Sequence, residues 1–321
     1  MTSYNSYKTG AKMNVIFMGT ADFSANVLEK LNSEFKVSAV VTGLDKPSGR
    51  GNSVIFSAVK NKALELGLPL LQYEKVSRDG LEDIKSLNPD VIVTAAFGQI
   101  LSDEFLAIPT IGTLNVHASL LPKYRGSSPI QTAIINDEKE TGVTIMRTVR
   151  EVDAGDILLA KSIAIGNMTA GELFDKLSIL GGDAICEALC LIESGKAIFR
   201  KQDASKATFC KFFTRADGLI DFNKSARELD CFMRGVTPWP SAFSQINGQT
   251  IKFFKMTPVD GKIDGYKNGE IIAADLKNGL IVKCADSLLK VDEIQAQNAK
   301  RMATVEYLKG HKFEVGSVFG E

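Results

Sequence analysis

Histidine is almost absent from this chain: there are two in 321 residues, His117 and His311. A zinc site built on imidazoles is therefore not expected, and the position of each histidine carries weight. Tryptophan occurs once, at 239. The five cysteines (186, 190, 210, 231 and 284) are odd in number and form no C-x-x-C pair. That pattern fits reduced thiols in a cytosolic protein rather than a disulfide framework. No apolar run approaches the roughly 20 residues that span a bilayer. The polar opening MTSYNSYKTGAK lacks the apolar core of a secretory signal. A soluble, cytoplasmic, monomeric protein is expected, with residues 1–12 a disordered extension ahead of Met13. Charge of one sign is also missing, since 38 lysines and arginines balance 38 aspartates and glutamates. Such a chain does not coat nucleic acid indiscriminately, although a local basic patch remains open to it.

What the chain does contain is alternation of strand and helix. NVIFMG, KVSAVVT, DVIVTAAFG and IGTLNVHAS are short apolar runs of the kind that form buried strands. DFSANVLEKLN, SAVKNKALELG and SDEFLAI have helical spacing between them, and GVTIMRTV alternates as a further strand. The longest element is TAGELFDKLSILGGDAICEALCLIESG. Thr169 and Glu172 form a capping box at its start, and Gly195 is a stop. Its Gly181-Gly182 pair costs helix propensity, so a close backbone approach or a kink is expected there. Alternation of this kind predicts an α/β fold with a doubly wound, mostly parallel sheet over residues 13–200. Residues 201–214 read as a basic linker. From 215 to 321, short alternating runs and Asn-Gly or Asp-Gly turns predict a smaller β-barrel domain of the OB type.

Glycine-rich phosphate loops are missing as well. MGTADFS has one glycine where a dinucleotide fingerprint needs three, so Gly19 reads as a strand-to-helix turn, and no phosphate-loop motif occurs elsewhere. The chemistry instead gathers at TLNVHASLLPKYRG. Strand residues two apart share a face, which puts Asn115 and His117 together, about 6.5–7 Å apart. They stand at a strand's C-terminal end, where open α/β sheets bind ligands. An amide and an imidazole presented together suit a carbonyl that must be oriented and then stabilised as an oxyanion. A histidine merely satisfied by backbone fits the pattern equally well. VREVDAGDILL adds Asp153 and Asp156 in the loop after the next strand. Asp153 is the one able to reach the imidazole and fix its orientation; Asp156 reads as a turn residue.

NVHASLLPKYRG followed by VDAGD resembles the formyltransferase family that uses 10-formyltetrahydrofolate. Asn115, His117 and Asp153 match its catalytic positions, and the separation 153 − 117 = 36 fits the family. The resemblance runs along nearly the whole chain from Met13. FMGTADFS, DKPSGRG, YRGSSPIQTAI, TPWPSAF and KRMATVEYLKGHKFEVGSVFG narrow it to members acting on methionyl-tRNA. It implies 10-formyltetrahydrofolate as co-substrate without a metal, held by Phe97, Gly98, Ser119, Leu120, Leu121, Pro122 and Val152. It implies initiator methionyl-tRNA as acceptor. The loop from 44 to 54 would supply Lys46 and Arg50 to the tRNA. The linker would supply Lys206, Lys211 and Arg215 as phosphate contacts. Three positions depart from the family pattern: Ala21 replaces proline, Phe97 tyrosine and Lys46 arginine. Lysine is a point charge without arginine's bidentate geometry. Alternatives are a formyltransferase for an amino-sugar nucleotide or another small amine, and a tRNA-binding protein with an inactive core. Trp239, between two prolines, reads as a packing residue and His311 as a surface one.

Overall fold

Every residue of Val15–Gly19 is buried, as a strand covered on both faces requires. Around it the computed structural model describes residues 13–48 and 53–320. Residues 1–12, Arg50 and its neighbours Gly49 and Gly51 lie outside the described residues. By contacts the chain divides into two units. The first holds the described residues up to Pro129, Glu140–Ala164 and Phe174–Cys210. The second holds Ile130–Lys139, Ile165–Leu173 and the chain from Lys211 onward.

In chain order, β1 (Val15–Gly19), α1 (Asp22–Glu34) and β2 (Val37–Thr42) are followed by a hairpin, β3 (Lys46–Ser48) and β4 (Ser53–Ile55). The stretch from 44 to 54, expected as a loop, thus carries two three-residue strands, paired from Lys46↔Ile55 to Ser48↔Ser53. Arms so short leave no periodic trace in a sequence. Then come α2 (Ala58–Glu65), β5 (Leu70–Gln72), α3 (Val76–Asp79), α4 (Leu81–Ser86), β6 (Val91–Ala95), α5 (Asp103–Leu106), β7 (Gly112–His117), β8 (Arg125–Gly126) and α6 (Pro129–Ile135). Strands β9 (Glu140–Arg147) and β10 (Ile157–Ala164) and helix α7 (Ala170–Glu193) complete this half.

The first unit is built on a seven-stranded sheet ordered β10-β9-β7-β6-β1-β2-β5. The five strands from β7 to β5 run parallel. The β9–β10 pair is antiparallel and sits at one edge, with β9 against β7. The expected mostly parallel, doubly wound sheet is therefore what the chain forms. Ser57 and Ser102 cap α2 and α5 by accepting N–H bonds from Lys60 and Phe105. The capping box at Thr169 and Glu172 is present, with Thr169 N–H donating to Glu172 Oε2 at 2.8 Å.

Helix α7 is unbroken through Gly181-Gly182. Of the two expectations there, close approach is the one met. A Cβ on Gly181 would stand 3.0 Å from Val116 Cγ1, and one on Gly182 would stand 2.7 Å from Lys30 Cβ on α1. Asn26 of α1 donates to Ser178 Oγ across the same contact at 2.7 Å.

The second unit contains α8 (Ala226–Gly235), β12 (Ala242–Ile246), β13 (Gln249–Val259), β14 (Ile271–Asp275), β15 (Gly279–Lys283), β16 (Leu288–Ala296), β17 (Met302–Ala303) and α9 (Thr304–Leu308). These strands form an antiparallel sheet ordered β12-β13-β16-β15-β14, with β17 on β16. Residues 316–320 join its two edges. Ile271 N–H donates to Ser317 O, Phe319 N–H to Gly269 O, and Gly320 N–H to Gln245 O on β12. Phe319 is buried and meets the rings of Phe222, Phe253 and Phe313. The sheet is thereby closed by a segment that has no strand pattern of its own.

All five cysteines are free. Burial pushes the Cys186 thiol up to about 12. Among the described residues no helix is long and apolar enough to cross a membrane.

Gly182 yields a stability prediction. Valine there adds methyl groups beyond a Cβ already too near Lys30 Cβ. Despite better helix propensity, Gly182→Val should lower the unfolding free energy by about 1–3 kcal/mol. Urea denaturation measures it; a stabilised variant would show that α1 and α7 separate freely.

Candidate active site

Strand β7 reads GTLNVH, and Leu114 and Val116 on one face are buried while Asn115 and His117 share the other. The β6–β7 register sets Thr94 beside Asn115. Thr94 Oγ1 donates to Asn115 Oδ1 at 2.8 Å. Because the amide oxygen is the atom held, the NH2 end of Asn115 is the end left to donate to a ligand.

His117 is 6% exposed. Its Nε2 lies 2.9 Å from the Tyr124 carbonyl oxygen. A carbonyl only accepts, so Nε2 carries the hydrogen, and the neutral ring has its lone pair on Nδ1. Nδ1 faces Asp153 Oδ2 at 3.6 Å. That pair becomes attractive when Nδ1 is protonated. Asp153 Oδ2 also accepts the Gly126 N–H at 2.8 Å. Asn115 and His117 thus share one face of β7, and Asp153 faces the His117 ring.

The turn after β7 is pinned from β9. Thr144, opposite His117 in register and fully buried, donates to Ser119 O at 2.7 Å and accepts from Leu121 N–H at 3.1 Å. Ser119 Oγ donates to Lys123 O at 2.7 Å. Tyr124 follows with φ +61°, which turns its carbonyl toward His117. Asp153 has φ +51°. Non-glycine residues in that region cluster at functional turns.

The expected donor-holding residues are arranged unequally. Ser119, Leu120, Leu121 and Pro122 belong to the pinned turn, and Val152, 62% exposed, adjoins Asp153. Phe97 and Gly98 leave β6 beside Asn115. The Phe97 ring, however, is buried in a core cluster that includes Ile16, Met18 and Ile92, and its carbonyl accepts from Thr20 Oγ1 at 3.4 Å. Gly98 has φ +76°, and a Cβ added to it would meet nothing within 4 Å, so conformation rather than crowding favours glycine there.

The expected tRNA contacts are spread over the chain. Lys46 lies on β3, and Arg50 lies outside the described residues. Lys206 belongs to the first unit and reaches Asp203 at 3.5 Å. Lys211 and Arg215 belong to the second, and Lys211 bonds Asp217. The ammonium group holds the Asp217 carboxyl well below the usual carboxylate range. Trp239 is 45% exposed rather than packed away, and its ring lies 6.3 Å from that of Phe212. His311 is exposed and stacks on Tyr307.

Sequence reading missed the stretch that follows residue 200. Expected as linker, it contains β11 (Phe209–Cys210), which pairs in parallel with β8. Thr208 O accepts the Arg125 N–H, and Thr208 Oγ1 accepts the Tyr124 N–H at 2.9 Å. Cys210 lies against the Tyr124 and Arg125 carbonyls, and burial pushes its thiol up. A two-residue strand offers no period to detect. Two surface hollows of about 300 and 240 Å³ lie elsewhere, one beside Lys85 and Glu104, the other beside Met13 and Cys190. Neither contains any of the residues gathered around His117.

Known proteins are similar to this chain in sequence and in fold. Residues 11–189 match a family model described as formyl transferase, and residues 213–312 match one described as formyl transferase, C-terminal domain. A methionyl-tRNA formyltransferase from Ruminiclostridium cellulolyticum is 41% identical over 313 residues, covering 96% of this chain and all of the relative. One from Clostridioides difficile is 43% identical over 311 residues, with the same coverage. Among solved structures, an N-formyltransferase from Helicobacter canadensis, in complex with folinic acid and dTDP-3-aminofucose, superposes with a TM-score of 0.64 at 20% identity. It covers 87% of this chain and 99% of its own.

The hydroxyl of Thr144 gives the test of this geometry. Thr144→Val leaves the Ser119 carbonyl and the Leu121 N–H without their partner, and each such buried group costs about 1–3 kcal/mol. Unfolding free energy should fall by at least about 2 kcal/mol, whereas Thr144→Ser should retain most of it. Equal losses in the two variants would assign the effect to the methyl group.

Proposed function

The chain belongs to the formyl transferase family, and from that premise we propose that it transfers the formyl group of 10-formyltetrahydrofolate to the α-amine of methionyl-tRNA. The observation that carries this reading is identity of 41–43% to methionyl-tRNA formyltransferases along 96% of the chain. The relative whose complex holds an amino-sugar nucleotide shares the fold at 20% identity, and its acceptor does not carry over. The co-substrate is folate-derived. We take the working form to be a cytoplasmic monomer serving translation initiation.

In the proposed reaction the uncharged α-amine attacks the formyl carbon, whose bond to N10 then breaks. One amine proton is released and one proton is delivered to N10, giving formyl-methionyl-tRNA and tetrahydrofolate. Asn115 donates from its NH2 end to the formyl oxygen and steadies the charge that develops there. His117 exchanges the proton at Nδ1, the ring nitrogen that Tyr124 leaves unused, and Asp153 steadies the ring while it is charged. Phe97, Gly98, the turn from Ser119 to Pro122 and Val152 line the folate. Lys46, Arg50, Lys206, Lys211 and Arg215 meet tRNA phosphates.

Purified protein supplied with 10-formyltetrahydrofolate should formylate methionyl-tRNA and leave an amino-sugar nucleotide untouched; the reverse preference would overturn the acceptor assignment. Asn115→Ala and His117→Ala should each lower the transfer rate by about 10²-fold or more with little change in melting temperature. Activity that falls only in step with folded fraction would remove both from the mechanism. Neutralising Lys206, Lys211 and Arg215 together should flatten the log-log salt dependence of tRNA binding by roughly one unit per lost phosphate contact. A slope equal to that of the wild type would return them to solvent.

A further inference from the structure

Gln202 stands outside the motifs that point to the active site, yet its side chain is tied at one end to the backbone of the Asp153 turn and at the other to the Arg125 guanidinium. Nε2 donates to the carbonyls of Asp153 and Gly155, each at 2.8 Å. Oε1 accepts from Arg125, at 3.1 Å from Nε and 2.8 Å from Nη2. The orientation of the amide is forced, because carbonyls only accept and a guanidinium only donates. Arg125 is buried, and the next residue, Gly126, gives its N–H to Asp153 Oδ2. The amide therefore closes a ring: Gln202 holds the Asp153 backbone, Arg125 holds Gln202, and Gly126 holds the Asp153 carboxylate.

The turn held in this way is one that would not hold itself. Asp153 is in the left-handed region at φ +51°, a conformation that persists when surrounding contacts fix it. Gly155 packs so tightly that a Cβ there would collide with the Arg147 carbonyl. Nearby carbonyls of Asp153 and Gly155 point at one donor group, and an NH2 is the group that can serve both. A carboxylate at 202 would still satisfy Arg125 but would repel the two carbonyls. An alkyl group would satisfy neither side.

We infer that Gln202 is a positioning residue for the transfer reaction, setting Asp153 against Nδ1 of His117. The inference rests on the proposed function, and the stretch 201–210 becomes part of the catalytic apparatus rather than a connection between domains.

The experiment is steady-state and single-turnover kinetics of wild type and Gln202→Glu with 10-formyltetrahydrofolate and methionyl-tRNA. Misplacement of a supporting group by about an ångström can cost about 10²-fold. The expected result is a kcat lower by roughly that factor, with both KM values within about twofold. In an Asp153→Ala background, Gln202→Glu should cause no further loss, because the group that it positions is gone. A kcat equal to that of an active wild type, a change confined to KM, or equal losses in both backgrounds would overturn the inference alone. A wild type that formylates no methionyl-tRNA overturns the functional reading and this inference with it. Should Gln202→Glu melt below the assay temperature, Gln202→Asn decides. It keeps both kinds of atom one methylene short and should show the same kcat-only loss at smaller size.

Discussion

A histidine whose Nε2 is tied to a backbone carbonyl has only Nδ1 to offer, and the first unit is arranged about that constraint. The Tyr124 carbonyl supplies the tie, and it points at the ring because Tyr124 occupies the left-handed region. Tyr124 is held there in turn by Thr208, 84 residues later in the chain. Thr144 anchors the turn between the two ends from a neighbouring strand. Nδ1 is then left facing a carboxylate, and its tautomer follows from hydrogen-bond logic rather than from assumption.

The carboxylate obeys a similar rule. Asp153 and Tyr124 both have positive φ, and neither is glycine. Such backbone conformations cost on the order of 1–3 kcal/mol each and persist where the surroundings over-determine them. Here the surroundings are Gly126, Gln202 and Arg125 for Asp153, and Thr208 with β8–β11 pairing for Tyr124. Residues 201–210 contribute to both. Their removal from the first unit would release both turns at once.

How far this was legible follows from the range of each interaction. Strands β1, β2, β6, β7 and β9, helices α1, α2, α5 and α7, and the pairing of Asn115 with His117 on one face, rest on local period and caps, which a sequence displays directly. The close approach at Gly181-Gly182 was legible because two mid-helix glycines oppose propensity. Asp153 was legible as a loop carboxylate, though its positive φ was not. Gln202, β11, and residues 316–320 across the edges of the second sheet were not legible. Each depends on a partner far away in the chain, 49 residues in the case of Gln202 and Asp153, through elements too short to show any period. Phe97 shows the converse: a motif marks its position, while the burial of its ring in a core cluster is a tertiary fact that no motif displays.

The basic residues assigned to tRNA need a different argument, because Lys206 and Lys211 each already have a carboxylate partner. Both pairs are solvent-exposed on the lysine side, where an ion pair contributes little to stability. A phosphate that displaced Asp203 or Asp217 would trade one anion for another. The gain would come from counterions released by the nucleic acid, and it would fall as salt rises. With these pairs formed, the aspartates neutralise the lysines. This agrees with a chain whose basic and acidic residues balance at 38 each and whose residues 201–321 hold 18 basic against 15 acidic. Local exchange of anions, rather than a strong overall positive field, is the electrostatics that such a sequence can support; under the proposed function it would favour a partner also held at the active site over nucleic acid at large.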